Sequence, residues 1–263
     1  MRKNAVKSKL KKGQCVFGTM IKEILNLGIV DVLEIAGFDY FVIDMEHARY
    51  DMETIADILQ YTRKSDITGV VRVPRLDYAY VAKALDMGAE GIWVPHLDTP
   101  EEAGQLAGYA KYPPQGIRGA AVPIFRNREY QQAESAAAYY QRCNDEVLLI
   151  AQIESARAVG NVAAIAGTPG IDVCMMGTND LSLDMGYPGQ GSHPEVKKAV
   201  QQVVDACQKA NIVSGNHIGS LEALRYWMQQ GMQMITYSFD FQLIIDSATA
   251  ALTFLNEGNL KKE

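Results

Sequence analysis

The run 148–156, LLIAQIESA, begins as a buried strand and ends with Gln152 and Glu154 two residues apart. Strand side chains alternate faces with a period of two, so both leave the same face. One strand-helix unit later, GTNDLS supplies Asn179, Asp180 and Ser182. A glutamate and an aspartate so separated can converge on a hard divalent cation, which takes oxygen ligands. Three further apolar runs end in polar residues: DMEH (Asp44, Glu46, His47), VRVPR (Arg72, Arg75) and VPHLD (His96, Asp98). Arg72 would repel a cation unless an anion lay between them, so the set suggests a carboxylate substrate bridging metal and arginine. Each residue also has a plainer reading. Asp180 could be a helix N-cap, Glu154 a hydrated rim carboxylate, His47 a satisfied loop histidine and Arg72 a structural ion-pair partner. Chemistry is favoured only if they share one site.

The elements that must position them alternate regularly. Strands are expected near Val16–Ile21, Tyr40–Ile43, Gly69–Val73, Gly91–Val94, Val147–Ile153, Ile171–Met176, Ile212–Gly215 and Gln233–Tyr237. Helical spacing falls between them, over Lys22–Ala36, Met52–Arg63, Ala79–Asp86, Pro100–Tyr109, Ala156–Ala166, Pro194–Lys209, Leu221–Gln230 and Phe241–Leu255. The longest insertion, 111–144, opens with loop chemistry and carries a helix near Glu129–Arg142. Eight such units predict an α/β fold, a (β/α)8 TIM barrel forming a single domain over residues 1–263. A doubly wound sheet is the alternative, but no GxGxxG turn follows the first strand. In a barrel, polar residues at the C-terminal strand ends belong to the active-site face.

Composition narrows the function classes. The 263 residues include 48% hydrophobic and 21% charged side chains, with a formal net charge of −6 and scattered Lys and Arg. That argues against nucleic-acid or anionic-membrane partners. No apolar run approaches the ~20 residues of a membrane span. The basic N-terminus lacks the apolar core of a signal peptide and reads as a short amphipathic helix packing through Val6 and Leu10. Four dispersed cysteines form neither a disulfide framework nor a zinc cluster, so a cytoplasmic setting is expected.

Several segments together resemble the HpcH/HpaI aldolases, metal-dependent class II pyruvate aldolases. They are GFDYFVIDMEH, VVRVP, ALDMGAEGIWVPHLDTPEEA, YPPQGIRG, QIESARAVGNV, GTNDLSLDMGYPGQGSHPEV and SFD, spread from about Phe17 to Leu252. The resemblance implies a homo-oligomer, usually a hexamer built as a trimer of dimers, with the C-terminal helix exchanged between neighbours. It implies a divalent ion, Mg²⁺, Mn²⁺ or Co²⁺, held by Glu154 and Asp180. Arg72 would grip the pyruvate carboxylate and steady the enolate, His47 would act as acid/base, and Gln152 would orient substrate and water. Asp86 would partner the histidine across a subunit contact, with Asp44 and Glu46 supporting the site from behind. The backbone N–H groups of Asn179 and Asp180 would help hold the carboxylate.

The implied reaction is reversible cleavage of a 4-hydroxy-2-keto acid to pyruvate and an aldehyde through a metal-stabilised enolate. A Schiff-base route needs a buried lysine at a strand end, and none of the strand ends placed above carries one. Met20 and the pair Asn216–His217 depart from the family pattern on the side expected to face the aldehyde. His217 is therefore a candidate substrate contact, favouring a hydrophilic acceptor. Arg118 and Arg126 are expected to order the long insertion, with contact to an acidic substrate tail as the alternative. The alternatives are a lyase acting on acyl-CoA thioesters, an oxaloacetate decarboxylase and a non-catalytic ligand-binding barrel. The first would want a basic groove that the rim lacks.

Overall fold

The computed structural model describes residues 1–120 and 135–259. Eight parallel strands close into a barrel in sequence order: β1 (Val16–Ile21), β2 (Tyr40–Asp44), β3 (Thr68–Arg72), β4 (Gly91–Val94), β5 (Leu148–Ile153), β6 (Val173–Met176), β7 (Val213–Ile218) and β8 (Met234–Phe239). Around them run α1 (Ala5–Leu10), α2 (Ile29–Ile35), α3 (Met52–Tyr61), α4 (Tyr78–Met87), α5 (Pro100–Ala110), α6 (Ala136–Glu146), α7 (Ala156–Ala166), α8 (Thr178–Asp184), α9 (Pro194–Ala210), α10 (Leu221–Gln229) and α11 (Asp240–Asn259). The expected barrel is therefore the observed one.

The strands carry apolar side chains on both faces because both are covered. Inside the barrel, Val16, Met20, Tyr40, Val42, Val70, Trp93, Ile150 and Met175 form one cluster, which Val6 and Leu10 of α1 plug at the N-terminal end. Outside, a larger cluster joins the opposite strand faces to the helices. Gly18 makes room inside the barrel: an added Cβ would collide with the Tyr40 ring. The Tyr40 hydroxyl spans to Thr236 Oγ1 at 2.7 Å. Helix starts follow the sequence chemistry. Asp51, Asp77, Ser155 and Ser220 cap α3, α4, α7 and α10, and Thr99 with Glu102 forms a reciprocal capping box on α5.

Two local expectations change. The helix expected over residues 22–36 is confined to α2. The backbone N–H groups of Lys22, Glu23 and Ile24 all donate to Asp240 Oδ2, at 3.1, 3.0 and 2.9 Å. A carboxylate from the start of α11 thus holds the segment after β1 as a turn. Conversely, α8 was not among the expected helices; Asp180 was weighed as a helix N-cap, but Gly177 holds that position and Asp180 falls in the first turn. The insertion helix begins at Ala136 within the described residues; the positions expected to start it, and Arg126, lie outside them.

Candidate active site

The site is built where β1 to β6 end. Asp44 closes β2 and Arg72 closes β3, paired in register. Arg72 Nε donates to Asp44 Oδ1 at 2.9 Å and Nη2 donates to Oδ2 at 2.7 Å, the two-armed geometry suited to a planar guanidinium. Its third nitrogen, Nη1, lies 3.0 Å from Glu46 Oε2. The guanidinium carbon stands 6.0 Å from the Trp93 ring centroid. Burial pushes the Asp44 carboxyl up, but the Arg72 bonds and charge, with Lys22, hold it below the usual range. Glu46 goes the other way: burial raises it, and the Asp44 and Asp180 charges add to the shift. Its Oε2 accepts no hydrogen bond among the described residues.

Glu154 stands just past β5, buried at 3% exposure. Its Oε1 accepts from the His96 backbone N–H at 2.6 Å, and His96 Nδ1 lies 3.1 Å from the same oxygen. Its Oε2 accepts from Gln152 Nε2, while Gln152 Oε1 accepts from Trp93 Nε1. The expected shared face of Gln152 and Glu154 is thus a direct contact. Burial raises the Glu154 carboxyl, and the Asp180 charge raises it further. Gly177 explains how the backbone passes so close: an added Cβ would lie 2.5 Å from Glu154 Oε2 and 2.7 Å from Glu154 Cβ. Gly177 also caps α8 without a side chain, leaving the first N–H groups of that helix free of a side-chain partner. Asn179 and Asp180 sit in its exposed first turn.

His96 was read from the sequence only as a polar strand end, with no role assigned. It adopts φ +50°, a left-handed backbone rare outside glycine. Besides meeting Glu154, its Nε2 lies 3.5 Å from Glu46 Oε1. His47 Nε2 lies 3.7 Å from Glu46 Oε2, with its side chain 57% exposed. Lys22 completes the line: its Nζ is 3.3 Å from Asp44 Oδ2. Lys22, Asp44, Arg72, Glu46, His96 and Glu154 therefore run in unbroken polar contact from the end of β1 to the end of β5. Arg72 is answered by two protein carboxylates, so no substrate is needed to shield it as the residue types alone suggested.

Other expectations sort differently. Lys22 follows β1 directly with its side chain 20% exposed, so a partly buried lysine does stand at a strand end. It was missed because the residue after the strand, whose end at Ile21 was placed as observed, was assigned to a helix and not counted as a strand end. His217 meets Trp93 edge to face, at 6.4 Å between ring centroids. Its Nε2 is 3.1 Å from the Ser238 carbonyl, which can only accept, so that nitrogen carries the proton. Burial, with the Arg72 and Lys22 charges, pushes its pKa down to about 4. Asn216 points away from its neighbour, accepting from Thr178 Oγ1 at 3.1 Å, and Met20 is fully buried in the barrel interior. Neither occupies an open acceptor face. Asp86, on α4, accepts from Arg118 Nη2 at 2.7 Å. Asp98 accepts from Ser155 Oγ at 2.6 Å, and Arg75 pairs with Asp77, so both stand apart from the line.

The donor set suits a hard cation. Glu154 offers buried carboxylate oxygens, Asp180 is close enough for its charge to raise the Glu154 carboxyl, and carboxylate oxygens are the donors such a cation takes. Among the described residues, no group of three or more His, Cys, Asp or Glu side chains is placed to hold a metal ion. A cation held by two carboxylates would keep positions for water and substrate.

Residues 25–247 match the HpcH/HpaI aldolase/citrate lyase family. The chain is 34% identical over 223 residues to a 5-keto-4-deoxy-D-glucarate aldolase of Klebsiella pneumoniae, covering 84% of this chain and 85% of that one. It is 32% identical over 248 residues to a hydroxypyruvate/pyruvate aldolase of Sagittula stellata, covering 94% and 96%. The crystal structure of an HpcH/HpaI aldolase from Desulfitobacterium hafniense superposes with a TM-score of 0.90 at 32% identity, covering 95% and 96%.

Proposed function

The chain belongs to the HpcH/HpaI aldolase/citrate lyase family and is an aldolase, an aldehyde-lyase acting on small molecules; from that premise we propose that it reversibly cleaves a 4-hydroxy-2-keto acid to pyruvate and an aldehyde, with a divalent metal ion as cofactor. The observation that carries the metal reading is the buried Glu154 carboxylate, raised by burial and by the Asp180 charge at the chemical face of the barrel. Mg²⁺, Mn²⁺ or Co²⁺ held there by Glu154 and Asp180 supplies Lewis acidity toward the substrate's keto oxygen.

The chain's own residues do the rest. The uncapped N–H groups of Asn179 and Asp180 receive the pyruvate carboxylate, the role helix N-termini serve for anions. Gln152, fixed by Trp93, orients Glu154 and substrate water without adding charge. Arg72, locked by Asp44, holds a positive charge where negative charge grows on the keto oxygen. His47, exposed and facing Glu46, carries the proton to and from the aldehyde oxygen.

The working state is a homo-oligomer, a hexamer of three dimers in which α11 crosses to a neighbour. The apolar side chains of Ile244, Leu252, Phe254 and Leu255 lie 59–76% exposed on α11 in the single chain, which supports that exchange. Asp86 then serves the histidine across the subunit contact. The setting is the cytoplasm; among the described residues no helix is long and apolar enough to cross a membrane.

The deciding experiment strips the protein of metal, assays cleavage and pyruvate C3 proton exchange, and then restores Mg²⁺, Mn²⁺ or Co²⁺. Both activities should vanish and return with the ion. Turnover in the stripped protein would refute the metal route.

A further inference from the structure

A second concave region lies at the barrel end opposite the chemistry. Between α1 and the starts of β5 to β8 the surface falls into a cavity of about 380 Å³, within the roughly 300–1,000 Å³ of small-molecule sites. Leu10, Leu148, Ile212 and Val213 give it apolar walls, and Lys7, Lys11, Asp172, Asn211 and Gln233 give it polar groups. Two of these satisfy each other. Lys7 Nζ donates to the Val147 carbonyl at 2.6 Å and lies 2.9 and 3.0 Å from the two Asp172 oxygens. Asp172 Oδ2 also accepts from the Leu149 N–H at 2.9 Å. The other three stand unused: among the described residues the Lys11 ammonium and the side-chain amides of Asn211 and Gln233 make no hydrogen bond or ion pair.

Lys111, just past α5, adds a further cation at the rim. Its Nζ stands against Gly170, next in the chain to Ile171 of the cavity wall: an added Cβ on that glycine would lie 3.3 Å from it. It is half-buried and, among the described residues, its ammonium also makes no ion pair or hydrogen bond. Burial, and then the charges of Lys7 and Lys11, push its pKa down against the opposing pull of Asp172 and Asp145. The lysines are thus near enough to repel one another. A half-buried ammonium with unused donors and cationic neighbours is a poor arrangement unless an anion comes between them. We infer that this cavity is a second binding site, for a small organic dianion, in which Lys11 and Lys111 take the negative charges and the Asn211 and Gln233 amides bond the remainder of the ligand. A phosphate monoester and a dicarboxylate share this chemistry, and the rotatable donors of lysine suit either. A ligand held there ties α1 to the starts of four strands, so it stabilises the fold. The site shares no residue with the proposed aldolase chemistry and does not depend on it.

The test uses calorimetry and thermal melts at fixed ionic strength, with glycerol 3-phosphate and malonate as probes and chloride as the monovalent control. At least one dianion should bind wild type and raise Tm where chloride does not, and the tighter of the two identifies the source of the charge. Lys11→Met and Lys111→Met should each weaken that binding about 10- to 100-fold, the range for a charged hydrogen bond. Lys11→Arg should keep most of it, and all three variants should keep wild-type aldol cleavage. Lys11 is exposed, so Lys11→Met leaves the fold intact and the comparison holds whether or not Lys111→Met folds. Absence of binding by either dianion would overturn the inference, as would an equal rise in Tm with chloride. Undiminished binding in Lys11→Met and in the double variant Lys11→Met/Lys111→Met would overturn it too, by moving the anion to the active-site face.

Discussion

Arg72 and Asp44 end adjacent strands in register, and their side chains meet through two parallel hydrogen bonds of 2.9 and 2.7 Å. The arginine expected to grip substrate is therefore already gripped by protein. Its direction is set by Asp44 before any substrate arrives, which leaves its charge rather than its full fork for the proposed chemistry. Asp44→Asn should misplace it and lower kcat/KM about 100-fold. The loss of one partner from a buried pair should cost about 3 kcal/mol of stability, read as a lower melting temperature. Arg72→Lys should not restore the rate, because an ammonium cannot make the two-armed contact. A near-wild-type rate in Arg72→Lys would show that only charge matters.

Gly177→Ala tests the packing of the proposed metal carboxylate. The new methyl group would occupy space held by Glu154, while the barrel strands stay intact. Mn²⁺ affinity, followed by calorimetry, should weaken about 10- to 100-fold, as for other changes that misorient a ligand. Glu154→Gln should weaken it at least as much while the His96 N–H keeps an oxygen to bond. Unaltered Mn²⁺ binding in both variants would move the ion elsewhere.

His217 carries a pH prediction. Its pKa falls to about 4 in the folded protein because of burial and the Lys22 and Arg72 charges, against about 6.5 when unfolded. Between these values the unfolded chain binds the extra proton, so the histidine's contribution to stability is present above pH ~6.5 and is lost as pH falls toward 4. His217→Gln should flatten the stability-against-pH curve in that window. A ring titrating near 6.5 in the folded protein, by NMR, would contradict the burial argument.

The N-terminal plug is a stability device remote from the chemistry. Leu10→Ala opens space at the N-terminal end of the cluster that fills the barrel. It should cost about 2–4 kcal/mol, measured by chemical denaturation. Retention of full stability would mean that α1 merely rests on the barrel.

Much of this molecule was legible before folding. The alternation of apolar runs and helical spacing located all eight strands, because parallel barrel strands are covered on both faces and read as continuous apolar stretches. Helical spacing placed starts at Met52, Pro100 and Ala156, where the structure also begins α3, α5 and α7. The period of two along β5 put Gln152 beside Glu154, and their direct contact follows from it. The polar strand ends were visible too, since a charged side chain that closes a covered apolar strand is costly to bury without a partner.

What only the tertiary structure decided is which of those ends face one another. Lys22 was taken for the start of a helix because nothing nearby shows that Asp240, 218 residues along the chain, binds its backbone N–H. His96 had no assigned role until its left-handed backbone turned it between Glu46 and Glu154. Asp98 and Arg75 looked like His96 and Arg72 in sequence, yet pair with Ser155 and Asp77 instead. Residue type and period determine which face a side chain leaves, a local property of the backbone. Which charges then meet depends on how eight strands close around a common axis, and that closure brings β1 and β5 to opposite walls of one site.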